Sequence, residues 1–233
     1  MAIPFYLALT GAEFHSCRKL PDKIAWMACH FSPYGTGLSN LPQKLPEGAL
    51  LILNDRTPIH GHDPQRILDQ IREVILAFKC HALLIDFQRP RCDAAVDVVQ
   101  ALATLPCPVA VSSPYIDGSN CAIFVPPVPL LTPVGDHLVQ WAGRDIWLDI
   151  AAERLQIRLT EDGSTVHPLY TPDLPECPLQ DPQLHCHYRI DLADHRADFT
   201  LQRTKDDLQA LLEDARSHGA THAVGLYQEF NEW

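Results

Sequence analysis

The sequence predicts an α/β protein, an abbreviated (β/α)8 barrel of the TIM type with an antiparallel β-hairpin excursion at about residues 151–203. Short apolar runs of strand length recur along the chain and lack strict alternation, as expected for strands covered on both faces. Helix patterns separate several of these runs, whereas the excursion alternates polar and apolar residues. Because 233 residues can bury one large core, we interpret the whole chain as a single barrel-like domain.

Eight apolar runs are predicted to be the core strands. They are residues 3–9, 24–29, 49–53, 82–85, 109–111, 122–125, 146–150 and 221–227. Segments 11–23 and 114–120 are too short for full crossover helices, so some helices of the ideal barrel must be missing. An open doubly wound sheet is the structural alternative.

Three helices have recognisable termini. The first follows Asp63 as N-cap, with Pro64 at its first position and an apolar stripe behind it. The second is predicted over residues 93–105. Thr204 is predicted to cap the third helix, and Gly219 is predicted to end it in the left-handed conformation.

The excursion is predicted to contain two hairpins. Leu155, Ile157 and Leu159 alternate with polar residues up to an Asp-Gly turn at residues 162–163. A second pair of alternating segments flanks a polar turn at residues 194–196. The excursion lies between the seventh core strand and the last helix.

Composition and charge argue against several classes of protein. The net charge is -11 and no run of Lys or Arg could follow a phosphate backbone, so we expect no nucleic-acid partner. No stretch reaches the roughly 18 apolar residues of a membrane helix, and we interpret the apolar start, residues 2–10, as the first strand. Eight cysteines without a CxxC pair indicate reduced, structural thiols, which predicts a cytoplasmic protein.

Polar residues follow most of the predicted strands. In parallel α/β folds the carboxyl ends of the strands meet at one face, where ligands bind. For any single residue, the alternative to a role in a site is that the residue is polar only because loops are exposed to solvent. The predicted site residues are His30, Asp55, Asp86, Gln88, Arg89, Tyr115, Asp149, Tyr227, Gln228 and Glu229.

The most informative segment is Leu-Leu-Ile-Asp-Phe-Gln-Arg-Pro at residues 83–90. It resembles the fourth-strand signature of the chitinase-type glycoside hydrolases, in which an apolar strand runs into Asp-Phe-Asp-x-Glu. Alternate side chains of such a strand project to the same side. The resemblance implies a barrel with a carbohydrate ligand. Asp86 matches the first acid, but Gln88 stands at the second and Pro90 at the proton-donating Glu, which implies that the usual hydrolytic machinery has been lost.

A different pair of carboxylates is the candidate for catalysis. Asp86 and Glu229 would face the same rim if the first and last strands close the barrel, and glycoside hydrolysis needs two carboxylates about 5 to 9 Å apart. The alternatives are a structural role for Asp86 and a solvated position for Glu229. Tyr115 and Tyr227 are the residues that would stack on a sugar ring, unless they simply cover the core.

Signatures of cofactors are absent from the sequence. There is no dinucleotide fingerprint, no phosphate loop and no nucleophile elbow, so we expect no cofactor. Two short clusters carry metal-ligand types, His60 and His62 with Asp63, and His185 with His187. Each is a partial set and is interpreted as surface histidines, so no metal is predicted.

Two functions remain open. The first is a carbohydrate-related barrel, either a divergent glycoside hydrolase or a non-catalytic protein that binds a glycan or another small molecule, and the broken motif favours binding. The second is a non-enzymatic interaction protein, in which residues 151–203 present an edge to another chain or to a second copy in a homo-oligomer.

Overall fold

Eight parallel strands close into a barrel. The computed structural model describes residues 2–116, 120–170 and 176–230, and in it neighbouring strands pair around a complete ring, with the first strand also paired to the second. The barrel strands are β1 (Phe5–Leu9), β2 (Ile24–Phe31), β4 (Leu50–Asn54), β5 (Ala82–Asp86), β6 (Val109–Ser112), β7 (Ala122–Val125), β8 (Ile146–Ile150) and β14 (Ala220–Leu226). The short strand β3 (Leu38–Ser39) runs antiparallel to β2. The predicted barrel is therefore confirmed, and the open sheet is excluded.

The helices are fewer and shorter than in an ideal barrel. They are α1 (Gly11–Ser16), α2 (Pro64–Phe78), α3 (Asp93–Leu102), α4 (Val134–Leu138), α5 (Lys205–Ser217) and α6 (Tyr227–Phe230). After β6 the chain makes only a 3-10 turn, Ser113–Tyr115, in the described part of the connection. Among the described helices, none combines the length and apolar character needed to cross a bilayer.

The predicted helix caps are confirmed. The Asp63 side chain accepts a hydrogen bond from the Gln65 amide at 3.0 Å, and Thr204 forms a capping box with Asp207. Gly219 has φ of +98°, as predicted for the end of α5. Helix α3 stops at Leu102, three residues earlier than its pattern predicts.

Alternation along the strands divides the apolar residues between the barrel lumen and the outer core. Tyr6, Leu50, Leu84, Phe124 and Trp147 belong to the set that fills the lumen. The intervening residues pack outward under the helices. A polar residue at the end of a lumen-facing row therefore stands above an apolar plug, at the C-terminal end of the barrel.

The excursion forms one antiparallel sheet of five strands. They are β9 (Arg154–Thr160), β10 (Gly163–Pro168), β11 (Leu179–Asp181), β12 (Cys186–Ala193) and β13 (Arg196–Gln202), in the order β10-β9-β13-β12-β11. Both predicted hairpins are present, and pairing of β9 with β13 joins them. Strand β11 and this joining contact were not predicted.

Candidate functional site at the barrel mouth

A cavity of about 1150 Å³ opens at the C-terminal end of the barrel. We call it the mouth cavity. Six of the ten predicted site residues line it, namely His30, Asp55, Asp86, Gln88, Asp149 and Glu229. The other four, Arg89, Tyr115, Tyr227 and Gln228, lie outside its lining.

Asp86 stands at the end of β5, two residues after the lumen-facing Leu84. The Gln88 side-chain amide donates a hydrogen bond to Asp86 Oδ1, and the Ser112 hydroxyl donates to the same oxygen at 3.3 Å. Burial raises the pKa of Asp86, and the nearby Asp55 carboxylate raises it further, while the two hydrogen bonds act in the opposite direction. The second carboxylate oxygen of Asp86 is thus the one available to a ligand.

Asp55 holds the loop that follows β5. It is only 5% exposed, and its carboxylate accepts hydrogen bonds from the backbone amides of Gln88 at 2.9 Å and Arg89 at 2.8 Å. The Arg89 guanidinium donates back to the Asp55 carbonyl at 2.7 Å, and the Tyr115 hydroxyl donates to the Arg89 carbonyl at 3.2 Å. Arg89 and Tyr115 therefore support the loop from outside the cavity, and Tyr115, 3% exposed, has no free ring face for a sugar.

Pro90 occupies the position of the family's proton-donating Glu and is exposed at the surface. A proline side chain carries no proton to donate. The chain therefore lacks the acid at the place where the resemblance would put it.

Four carboxyl groups line the mouth, and three of them, Asp86, Asp149 and Glu229, come from different secondary-structure elements and interact through their charges. Burial raises the pKa of Asp149, on β8, to about 7, and the negative charges of Asp86 and Glu229 add to the effect. Glu229, in α6, accepts a hydrogen bond from the Ala152 amide at 2.7 Å. Because its pKa is raised toward neutrality, this carboxyl can carry a proton and donate a hydrogen bond where an ionised one only accepts.

Tyr227 and Gln228 tie α6 to α1. The Tyr227 hydroxyl lies 3.3 Å from Cys17 Sγ, and the Gln228 side chain is hydrogen-bonded to Glu13. These contacts position the short helix that carries Glu229. The expectation that Tyr227 stacks on a ligand does not fit this position.

His30, Asn40 and Trp26 form one wall of the cavity. The Phe31 carbonyl, 3.0 Å from His30 Nδ1, can only accept, so Nδ1 carries the hydrogen and Nε2 accepts from the Asn40 amide at 3.2 Å. The Trp26 indole donates to the Asn40 carbonyl at 2.9 Å. These hydrogen bonds hold Asn40 between the His30 ring and the Trp26 ring.

Several lining residues were missed by sequence reasoning. Trp26 lies in an apolar run, and an irregularity in the pairing between Trp26 and Cys29 changes which face the strand presents. Phe124 lies two residues after Ala122 and points to the same side of the strand, so the period of two alone indicates that its side chain faces the lumen. Lys44 lies in the loop before β4, where the sequence gives no signal.

Comparison with solved structures shows the fold. The spore cortex-lytic enzyme SleL of Bacillus cereus matches 96% of this chain and 70% of its own, with a TM-score of 0.59 at 8% identity. A class V chitinase of Nicotiana tobaccum in complex with NAG4 has a TM-score of 0.58 at 9% identity, covering 97% of this chain and 93% of that chain. A chitinase of Chromobacterium violaceum has a TM-score of 0.56 at 9% identity, covering 96% and 93%.

No protein-family model and no curated protein matches the sequence. The resemblance to chitinase-type glycoside hydrolases, inferred from residues 83–90, is confirmed at the level of the barrel fold. The segment also lies on the fourth strand of the ring, the position of the signature in the family.

Proposed function

We propose that the mouth cavity binds a glycan and that the chain does not use the proton donor of the chitinase-type hydrolases. The observation that carries this proposal is the mouth itself, a cavity of about 1150 Å³ lined by four carboxyl groups, while Pro90 stands at the sequence position of the family's acid. Its volume slightly exceeds the roughly 300–1,000 Å³ of cavities that enclose drug-sized ligands, so it has room for more than one sugar unit.

The lining offers complementary groups to a sugar. Asp86 and Glu229 can accept hydrogen bonds from hydroxyl groups, and Asp149 can donate one in its protonated form. Trp26 and Phe124 add a small apolar area to the lining, since only 6% and 7% of their surfaces are exposed. The NAG4 ligand of the structurally similar Nicotiana tobaccum chitinase suggests oligomers of N-acetylglucosamine as the first compounds to test.

Isothermal titration calorimetry with N-acetylglucosamine oligomers of two to four units tests the proposal. We expect measurable binding, weakened at least tenfold by Asp86→Ala, which corresponds to about 1.4 kcal/mol. Asp97→Ala is the matched control, because Asp97 is an exposed carboxylate on α3, away from the lining. Absence of binding across sugars and amino sugars would contradict glycan binding at this site.

The same oligomers separate binding from hydrolysis. We expect mass spectrometry to find them intact after long incubation with the protein. If shorter oligomers formed with the wild type but not with Asp149→Asn, hydrolysis would instead be assigned to the cluster of Asp149, Asp86 and Glu229. A carboxyl with a pKa of about 7 is suited to general acid catalysis.

Self-association is a second candidate, favoured by an exposed apolar patch on the excursion sheet. Cross-strand pairing places Leu192 and Leu159 opposite Ala197, and Ile190 and Val166 in the adjacent row, all on one face. Leu192 is 80% exposed and Val166 51%. A second copy offers the same patch, so a two-fold dimer would bury both.

Light scattering coupled to size exclusion tests this candidate. We expect Leu192→Lys to convert a dimer to a monomer, whereas Thr165→Lys, on the opposite face of β10, leaves the dimer intact. A wild-type protein that is monomeric at all concentrations rules it out.

A further inference from the structure

Two histidines from opposite walls meet at the N-terminal end of the barrel. His81 precedes β5 and His222 lies on β14, and four strand-to-strand steps separate β5 from β14 in either direction around the ring. Their Nε2 atoms are nevertheless 3.2 Å apart. Beneath them, the ring of the fully buried Trp147 stacks on His222 with centroids 4.2 Å apart. The pair therefore spans the barrel axis over the plug of the lumen.

A hydrogen-bond chain fixes the tautomer of His222. The Thr221 hydroxyl donates to the Asp145 carboxylate, which can only accept. Thr221 Oγ1 must then accept from His222 Nδ1, 2.8 Å away, so Nδ1 carries the hydrogen. In the neutral ring, Nε2 consequently points a lone pair at His81.

This arrangement resembles half of a metal site. Two imidazole nitrogens bound to one tetrahedral zinc ion at about 2.0–2.1 Å lie about 3.3 Å apart, close to the 3.2 Å between His81 and His222. A ligating histidine usually donates its other ring N–H to an oriented oxygen, as His222 does to Thr221.

We propose that His81 and His222 bind a borderline divalent cation such as Zn²⁺ through their Nε2 atoms, with water completing the coordination. His81 is exposed, which gives the ion and its waters access. The ion would link strands on opposite sides of the ring, so binding stabilises the closed barrel and is independent of the mouth cavity. Without metal, the same geometry serves as an N–H···N hydrogen bond between the two rings.

Thermal unfolding of the tag-free protein with and without zinc chloride tests the proposal. At a free zinc concentration about 100 times the dissociation constant, we expect the midpoint to rise by about 5 °C or more. The rise should vanish in His81→Ala and persist in His167→Gln, which removes an exposed histidine on β10. It should also shrink as the pH falls, because ligating nitrogens must be unprotonated.

Nitrogen-15 NMR of the histidine rings locates the ion directly. We expect zinc to move the Nε2 resonances of His81 and His222, with Nδ1 of His222 protonated before and after. No zinc-dependent shift in the wild type would overturn the proposal and leave a simple hydrogen bond. Retention of the full thermal shift in His81→Ala would overturn it as well, and would place zinc on another histidine cluster.

Discussion

The two ends of the barrel are built from the same eight strands but have opposite characters. The C-terminal end is open, and its cavity is lined by four carboxyl groups, of which Asp149 has its pKa raised by burial and by the charges of Asp86 and Glu229. The N-terminal end is filled by Tyr6 and Trp147 and bridged by His81 and His222. Residues at the ends of the strands thus line an open cavity, whereas residues near the starts of the strands close the lumen.

The largest expected effect on stability comes from removing a buried side chain at the closed, N-terminal end of the barrel. Trp147→Ala removes a fully buried ring from the lumen, and we expect it to lower the free energy of unfolding by about 3–5 kcal/mol. Urea denaturation followed by circular dichroism measures this loss.

Phe124→Ala is the matched change at the open end. Phe124 also faces the lumen, but it borders the mouth cavity, so water can occupy the space that the ring leaves. We expect a smaller loss than for Trp147→Ala. Equal losses would show that the two ends do not differ in packing.

A smaller effect on stability is expected from replacing the Asp149 carboxyl, at the open end, by an amide. The raised pKa of Asp149 means that folding favours its protonated form, so this contribution to stability is lost as the pH rises from about 4 through about 7. Asp149→Asn imitates the protonated form at every pH. We therefore expect its stabilising effect to be larger at pH 8 than at pH 5, by on the order of 2 kcal/mol.

Denaturation of wild type and Asp149→Asn at the two pH values measures this difference. Asp97→Asn serves as control, because Asp97 is exposed on α3. A gain for Asp149→Asn that does not depend on pH would contradict the burial of an ionisable carboxyl at the mouth.

The smallest effect is expected from His81→Ala in the absence of metal. His81 is exposed, so the change removes one hydrogen bond worth about 0.5–1.5 kcal/mol. Thermal unfolding in the presence of a chelator measures it. A loss as large as that of Trp147→Ala would mean that the histidine pair, rather than the apolar plug, holds the closed end together.

Much of the fold was predictable because strand runs and helix caps are local signals. Asp63 and Thr204 cap α2 and α5 as predicted, and Asp86 lies at the end of a lumen-facing row because alternation from Leu84 places it there. Trailing polar residues of the strands likewise identified Asp149 as a member of the mouth.

The rest depended on contacts between distant segments. Tyr115 falls in a 3-10 turn and Tyr227 begins α6, so their side chains leave the direction that an extended strand would give them. His81 and His222 are 141 residues apart and belong to no motif, whereas the closely spaced His60 and His62 are visible in the sequence as a candidate cluster. Only closure of the ring brings such residues together.

The most direct measurement is amide NMR mapping during titration with an N-acetylglucosamine oligomer. The account predicts that resonances of Asn54, Asp86, Asp149 and Glu229 shift together, while those of His81 and His222 at the opposite end do not. Shifts confined to the closed end or to the excursion sheet, or no shift at any sugar concentration, would contradict the proposal that the mouth cavity is the glycan site.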